Sequence, residues 1–441
     1  MSEPDSENQK DSPAEKMPTE ARQSNTLTNQ SYRKTPWLLL ALPLVMIGVI
    51  LFVSPNFQLS DSLRNDPLGS DFLQEWVGAS ICNSAEQNRL YDPVHFKAMQ
   101  HDADLVGFEW QEKNFFPMVY PPFYYLALQP FTIVSYPVAM RIWAVLSALA
   151  FSLTGFLLFR FYAPCRRLLG IWLIASLVFV PLLTCFNMGQ KASFLLLILT
   201  ATFVLLHNKR PLSAGIVFGL IVFKPHLGIV IGLAMLVKGQ WRFALGAVGM
   251  VAAIAGGSFL VYPILWADYL KTVSGMTDYV QSGGYLLHDS HSLWGASQLS
   301  LSAWLPANAI KALTGILSLG VAALALASLR GKIETASSDF ARQFSVLVLA
   351  MILLSPHFYT YDLTIILLPL LLIATTFVPG QWKSNPTEKA IAVLLGSLFV
   401  FAGMFSNVAN TIRIQPSIFV IVAVIVLITK AREKDASLEA S

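Results

Sequence analysis

Apolar runs of about 17–25 residues recur along the chain, separated by short polar stretches, and that is the length a helix needs to cross a hydrocarbon core. Backbone groups in lipid must bond within their own segment, so such a chain folds as a bundle of helices. Charge content agrees: only 13% of the 441 residues are charged, against about 25% in soluble domains. The expected fold is an all-α polytopic integral membrane protein. Membrane lipids are its expected surroundings, and no nucleic-acid partner is expected.

Spans are expected at 37–54, 137–160, 168–186, 190–206, 242–265, 303–329, 343–355, 361–379, 389–406 and 414–430, with a proline-broken pair at 211–223 and 226–237. Basic residues mark the cytoplasmic side. They fall before the first run (Arg33, Lys34), in short loops (Arg160, Arg166, Arg167; Lys209, Arg210; Lys238, Arg242; Arg330, Lys332, Arg342; Lys383, Lys389) and at the end (Lys430, Arg432, Lys434). One alternating path fits them all, with both termini cytoplasmic and 11–13 transmembrane or re-entrant segments in total. Residues 120–136 are apolar but short and flanked by prolines, so they either span or re-enter. The polar leader, residues 1–35, reads as a disordered cytoplasmic tail, 36–430 as the membrane domain, and 431–441 as a cytoplasmic tail. The three cysteines, Cys82, Cys165 and Cys185, form neither a disulfide framework nor a metal-ligand spacing.

On this path residues 55–119 form a first extracytoplasmic loop with ten acids against four basic residues, and 264–302 a second. Groups able to do chemistry gather on that side. Asp71 and Glu75, four residues apart, share one face of a helix. They are either a solvated pair or the source of a general base, desolvated against the aromatic and proline-stiffened Tyr91-Asp92-Pro93 and Tyr120-Pro121-Pro122. Lys224-Pro225-His226 interrupts an apolar run. A lysine at membrane depth is costly, and proline bares the amides of the next helix, so the point is either an anion site or a kink with Lys224 paired to an acid. His357, Tyr359, Tyr361 and Asp362 crowd an outer turn, as ligand contacts or as an aromatic belt. Arg413 is either a phosphate ligand or an interface anchor. Gly189-Gln190 stands in a tight turn. His288 and His291 flank Asp289 without a third metal ligand, and no metal site is expected.

The ordered set Asp71-Phe72, Tyr91-Asp92-Pro93, Tyr120-Pro121-Pro122, Gly189-Gln190, Lys224-Pro225 and Ser355-Pro356-His357 resembles glycosyltransferase family 87, of the GT-C superfamily, over about residues 37–430. The resemblance implies a GT-C type fold in a bacterial plasma membrane. It also implies transfer of a hexose, with mannose the best-known case, from a polyprenyl-phosphate donor to a lipid or glycan acceptor, with inversion. Asp71 matches the family's acid and Lys224 its lysine. From both lines, Asp71 is the expected base and Lys224, His226 and Arg413 the donor-phosphate ligands. Glu75, Tyr91, Asp92, Tyr120, Gln190, His357 and Tyr361 are expected to contact substrate, and no cofactor is expected. The competing readings are a secondary transporter built on a broken helix with a buried lysine, and an O-antigen polymerase or ligase-like enzyme.

Overall fold

The computed structural model describes residues 60–61, 66–67, 69–109, 116–279, 286–331, 333–337, 339–377 and 385–439. The expected tail 1–35 and first run 37–54 lie outside them. After a two-residue ladder of β1 (Ser60–Asp61) with β2 (Asp66–Pro67), the described chain is helical. Three short helices come first: α1 (Ser70–Cys82), α2 (Pro93–Gln100) and α3 (Ala103–Val106). Asp92 caps α2, accepting from the amides of Val94 at 3.0 Å and His95 at 3.2 Å, with Pro93 in the first turn where no amide is needed.

Then come α4 (Pro122–Leu128), running into a 3-10 turn at Gln129–Ile133, and α5 (Tyr136–Phe161). Next are α6 (Leu169–Val178), α7 (Val180–Asn187), α8 (Ala192–His207), α9 (Pro211–Gly219) and α10 (Pro225–Val237). They are followed by α11 (Trp241–Val261), α12 (Pro263–Tyr279), α13 (Leu293–Leu301), α14 (Ala307–Ser328) and α15 (Asp339–Leu354). A 3-10 turn, Thr360–Ile366, leads into α16 (Leu367–Thr376), and α17 (Pro386–Phe401), α18 (Phe405–Ile412) and α19 (Pro416–Glu439) complete the set.

Among the described helices, α5, α11 and α14 are each long and apolar enough to cross a membrane alone. Two bent pairs, 163–178 with α7 at 46° and α17 with α18 at 86°, raise the number to five if each is one span. The apolar helices 192–207, 211–223, 225–237 and 360–376 are each shorter than a full span. The 120–136 stretch resolves into seven residues of α4 plus a 3-10 turn. Even together they fall short of a core about 30 Å thick, so this stretch does not cross by itself. The expected loop 264–302 is largely helix, as α12 and α13; Trp266 and Tyr269 pack on the aromatic core around α1 and α4, which favours helix there.

The proline-broken pair forms the expected hairpin. α9 and the 3-10 turn Leu220–Phe223 end at Lys224, and Pro225 starts α10. α9 lies hard against α11 because the crossing uses glycine on both sides. A Cβ on Gly215 would stand 2.0 Å from the Phe243 carbonyl oxygen, and one on Gly246 2.4 Å from that of Leu212. With Gly219 one turn on from Gly215, the helix carries the small-xxx-small spacing that lets backbones meet in lipid. That contact sets the position of the hairpin tip. α15 is buried on every side from Gln343 to Leu353 and forms the central post of the larger core.

Polar groups separate to the two ends of the bundle. At one end Arg167 donates to the carbonyls of Ala374, Thr375 and Phe377, where α16 runs out. There too Lys238 donates to Gly331, His207 bonds Thr335, and Arg432 grips Asp339 with two hydrogen bonds at 2.6 and 2.7 Å. This is the basic end that the loop charges lead one to expect. The acids of α1, the 187–191 turn, the hairpin tip and the 355–362 turn meet elsewhere, as described below.

Replacing Gly215 by Leu should force α9 and α11 apart and cost about 1–3 kcal/mol. The check is the thermal midpoint of the detergent-solubilised protein, beside Gly249→Leu on the same pair of helices. Gly249 faces open space, and its variant should match the parent.

Candidate active site

The helix that begins at Gly69-Ser70-Asp71 is held by a contact between two glycines. Gly69 (φ 69°) and Gly189 (φ 66°) both adopt the left-handed conformation. A Cβ on Gly189 would strike that of Phe72 at 2.6 Å, and one on Gly69 would strike the Met140 sulfur at 2.4 Å. The Gly69 amide donates to the Asn187 carbonyl at 2.9 Å. Tyr136 Oη donates to the Gly69 carbonyl at 2.9 Å, and Trp143 Nε1 to that of Gly189 at 2.7 Å. The first turn of α1 and the turn between α7 and α8 are thereby locked together.

Consecutive residues of that turn serve the two acids. Gln190 Nε2 donates to Asp71 Oδ2 at 2.6 Å, while Lys191 Nζ forms an ion pair with Glu75 Oε1. Tyr124 Oη donates to Glu75 Oε2 at 2.5 Å, and the Lys191 ammonium lies 4.4 Å from the centre of the Tyr120 ring and 5.3 Å from that of Tyr124. Glu75 is fully buried and committed to these partners, whereas Asp71 keeps part of its surface open.

A second lysine–carboxylate pair adjoins the first. Lys224, at the hairpin tip, donates to Asp362 Oδ1 at 2.5 Å and stands 5.2 Å from the centre of the Tyr361 ring. Asp362 is fully buried at the start of the 3-10 turn that leads into α16. The reading of Lys224 as paired to an acid therefore describes this state of the protein. Beside the pair, the rings of His226 and His357 meet edge-on with centres 6.4 Å apart, and His357 packs on Tyr359 at 4.4 Å. His226 Nε2 is buried with no hydrogen-bond partner among the described residues.

The turn bearing Asp362 rests on a polar network. Asp289 Oδ1 accepts from Thr360 and Ser406, both at 2.5 Å, and His291 lies between Thr360 at 3.0 Å and Ser417 at 2.8 Å. Both ring nitrogens of His291 are thus engaged by hydroxyls, and no group of three metal-ligating side chains occurs among the described residues. Burial pushes His291 down to about 4 and, with the charge of Lys224, His357 to about 3, so both rings are neutral at physiological pH.

Burial raises the Asp71 carboxyl above its ordinary 3.8; the Gln190 hydrogen bond and the charges of Lys191 and Lys224 oppose this, and Asp362 adds to it. A carboxyl raised in this way and partly open has the character of a base.

Of the residues singled out from the sequence, Asp71, Glu75, Tyr120, Gln190, Lys224, His226, His357 and Tyr361 come together. Two of the others, Asp92 and Arg413, are not seen in contact with them among the described residues, and Tyr91 stands behind them. Tyr91 is buried and donates to the Tyr120 carbonyl at 2.7 Å, so it braces the wall of the site. Asp92 is the α2 cap, paired outward with Arg89 at 3.3 Å and held below the usual carboxylate range by the α2 amides. Arg413 is exposed at the end of α18, with its Nε on the Leu299 carbonyl at 3.2 Å, an anchor between α18 and α13. Lys191 and Tyr124 belong to the site without having been assigned a role from sequence, and Asp362, read there with its turn as a ligand contact or part of an aromatic belt, is the partner of Lys224. The signal for the two charged residues is a charge heading an apolar helix with no opposite charge three or four residues away.

A polytopic helical protein that gathers three acids and two lysines beside its membrane helices defines a class of membrane protein with a built polar site. The model of glycosyltransferase family 87 matches residues 118–356, more than half of the chain, and the chain belongs to that family. It is a glycosyltransferase, an enzyme that moves a sugar from a donor to an acceptor. The match takes in Gln190, Lys191 and Lys224 and stops short of Asp71 and Asp362 on either side. Neither curated proteins nor solved structures give a match.

Removing one partner of the Lys224–Asp362 pair leaves a buried charge alone, so Lys224→Met should cost about 3–5 kcal/mol. The double variant Lys224→Met/Asp362→Asn should recover a large part of that loss. Thermal unfolding of the four proteins in detergent measures the coupling.

Proposed function

We propose that this glycosyltransferase moves a hexose, mannose being the first candidate, from a polyprenyl-phosphate donor to a lipid or glycan acceptor. The reaction takes place on the extracytoplasmic side of a bacterial plasma membrane and inverts the anomeric carbon. Asp71 is the base, and Lys224 with His226 receives the donor phosphate. The observation that carries the reading is the division of labour among three acids. Glu75 and Asp362 are each neutralised by a lysine, while Asp71 is partly open and accepts from an uncharged amide.

The acceptor hydroxyl gives its proton to Asp71 as its oxygen bonds the anomeric carbon. The bond from that carbon to the phosphate oxygen breaks, and polyprenyl phosphate leaves with the electron pair. The unshared negative charge of Asp71 also favours the positive character that develops on the sugar. An ammonium has three protons to donate, so Lys224 can meet the leaving phosphate without abandoning Asp362. His226 Nε2, buried without a partner among the described residues, is available to the same oxygens. Tyr120 and Tyr361 present aromatic faces to the two lysines, and the acceptor approaches over α1 from the aqueous side.

Membranes supplied with radiolabelled polyprenyl-phosphate mannose should yield a new glycolipid or glycan. In Asp71→Asn the transfer rate should fall by about 10²–10⁴-fold while expression and thermal stability hold. Because only ionised Asp71 accepts a proton, the parent should lose activity as the pH falls through a value above the ordinary carboxylate range. Transfer at the parental rate by Asp71→Asn would remove the base assignment.

A further inference from the structure

The turn 187–191 places two adjacent side chains on two acids one helical turn apart. We propose that Gln190 and Lys191 are positioning residues for the base, and that Gln190 contacts Asp71 in place of substrate. This rests on the reading of Asp71 as the base. Three observations carry it. Gln190 is almost fully buried, and its amide nitrogen is spent on Asp71 Oδ2 at 2.6 Å, which fixes the plane of the carboxylate and leaves Oδ1 for the proton. The Gln190 backbone is held on both sides, its amide donating to the Cys185 carbonyl at 2.8 Å and its carbonyl accepting from Cys185 Sγ at 3.3 Å. Lys191, the next residue, is tied to Glu75 on the same helix face as Asp71. One rigid turn therefore fixes both the angle of the carboxylate and the positive charge beside it.

The groups that act on Asp71 come from every element around it. Gln190 and Lys191 belong to the α7–α8 turn, Lys224 to the hairpin tip, and Asp362 and Tyr361 to the turn before α16, while Tyr136 comes from α5. Gln190 and Lys191 both favour the ionised carboxylate, Gln190 by a hydrogen bond and Lys191 by charge. Losing either should leave Asp71 harder to ionise, and the acid limb of the rate profile should move to higher pH. A residue that only shapes the fold, or only touches substrate, would not move that limb.

The experiment is the pH dependence of kcat/KM for glycosyl transfer, which reports on the free enzyme. It uses the full-length protein in membranes with labelled polyprenyl-phosphate mannose. Gln190→Ala should raise the acid limb by about one pH unit, and the isosteric Gln190→Glu, which sets a second carboxylate against the first, should raise it further. Lys191→Met should raise it as well, and Lys191→Arg, which keeps the cation, should return it toward the parent. An unmoved acid limb with a higher acceptor KM in Gln190→Ala and Gln190→Glu would overturn the proposal and restore a substrate contact. A uniform loss of rate at every pH in both Gln190 variants would overturn it in favour of a purely structural turn. Failure here is distinct from failure of the base assignment, which Asp71→Asn decides by itself.

Discussion

Two lysine side chains are buried among the described residues, and a buried ammonium is tolerated only against a carboxylate in good geometry. That requirement organises the whole acidic end. Glu75 must come to Lys191, which draws α1 against the α7–α8 turn; Asp362 must come to Lys224, which draws the start of α16 against the α9–α10 hairpin. The glycine contacts supply the space for it. Gly69 meets Gly189 under α1, and Gly215 with Gly246 lets α9 lie on α11 and sets the height of the hairpin tip. With both lysines neutralised, one acid is left over. Asp71 is the charge the packing does not consume, and it stands where both lysines still act on it.

Such an arrangement suits a reaction in which charge moves and water is unwelcome. Preorganised cations at a developing phosphate and a partly desolvated carboxylate at a developing proton are each stronger in a low-dielectric site than in water. His357, which burial keeps neutral, borders the Lys224 pair together with the ring of His226. Away from the site, Arg167 on the carbonyl end of α16 and Arg432 on Asp339 pin the opposite end of the bundle. α16 is therefore held at both ends, by Arg167 at its carbonyl end and through the Asp362 turn at its start.

Much of the fold is legible in the sequence because hydrocarbon demands long apolar segments, and the loop charges point to one end of the bundle. The hairpin about Lys224-Pro225 is legible too, since proline must start a helix there. Two stretches are less legible. The apolar stretch at 120–136, open from sequence between spanning and re-entering, is a short helix and a 3-10 turn, and 264–302, polar enough to pass for a loop, holds most of α12 and all of α13. In the site, Asp71 and Lys224 stand out because charge beside an apolar run is costly. Gln190 lies 119 residues from Asp71, Asp362 lies 138 from Lys224 and Lys191 lies 116 from Glu75, and only tertiary packing reveals which acid meets which lysine. Asp92 and Arg413 show the converse: each has the residue type of a ligand, and each is spent on a helix end.

On the proposed reaction, Lys224 and Asp71 face opposite sides of the anomeric carbon. The decisive measurement is an experimental structure with a non-transferable polyprenyl-phosphate sugar analogue. The phosphate should lie within hydrogen-bond reach of Lys224 Nζ, with the anomeric carbon turned toward Asp71. A phosphate seated on the arginines at the opposite end of the bundle, or a sugar with Asp71 on the same side as the leaving group, would contradict it.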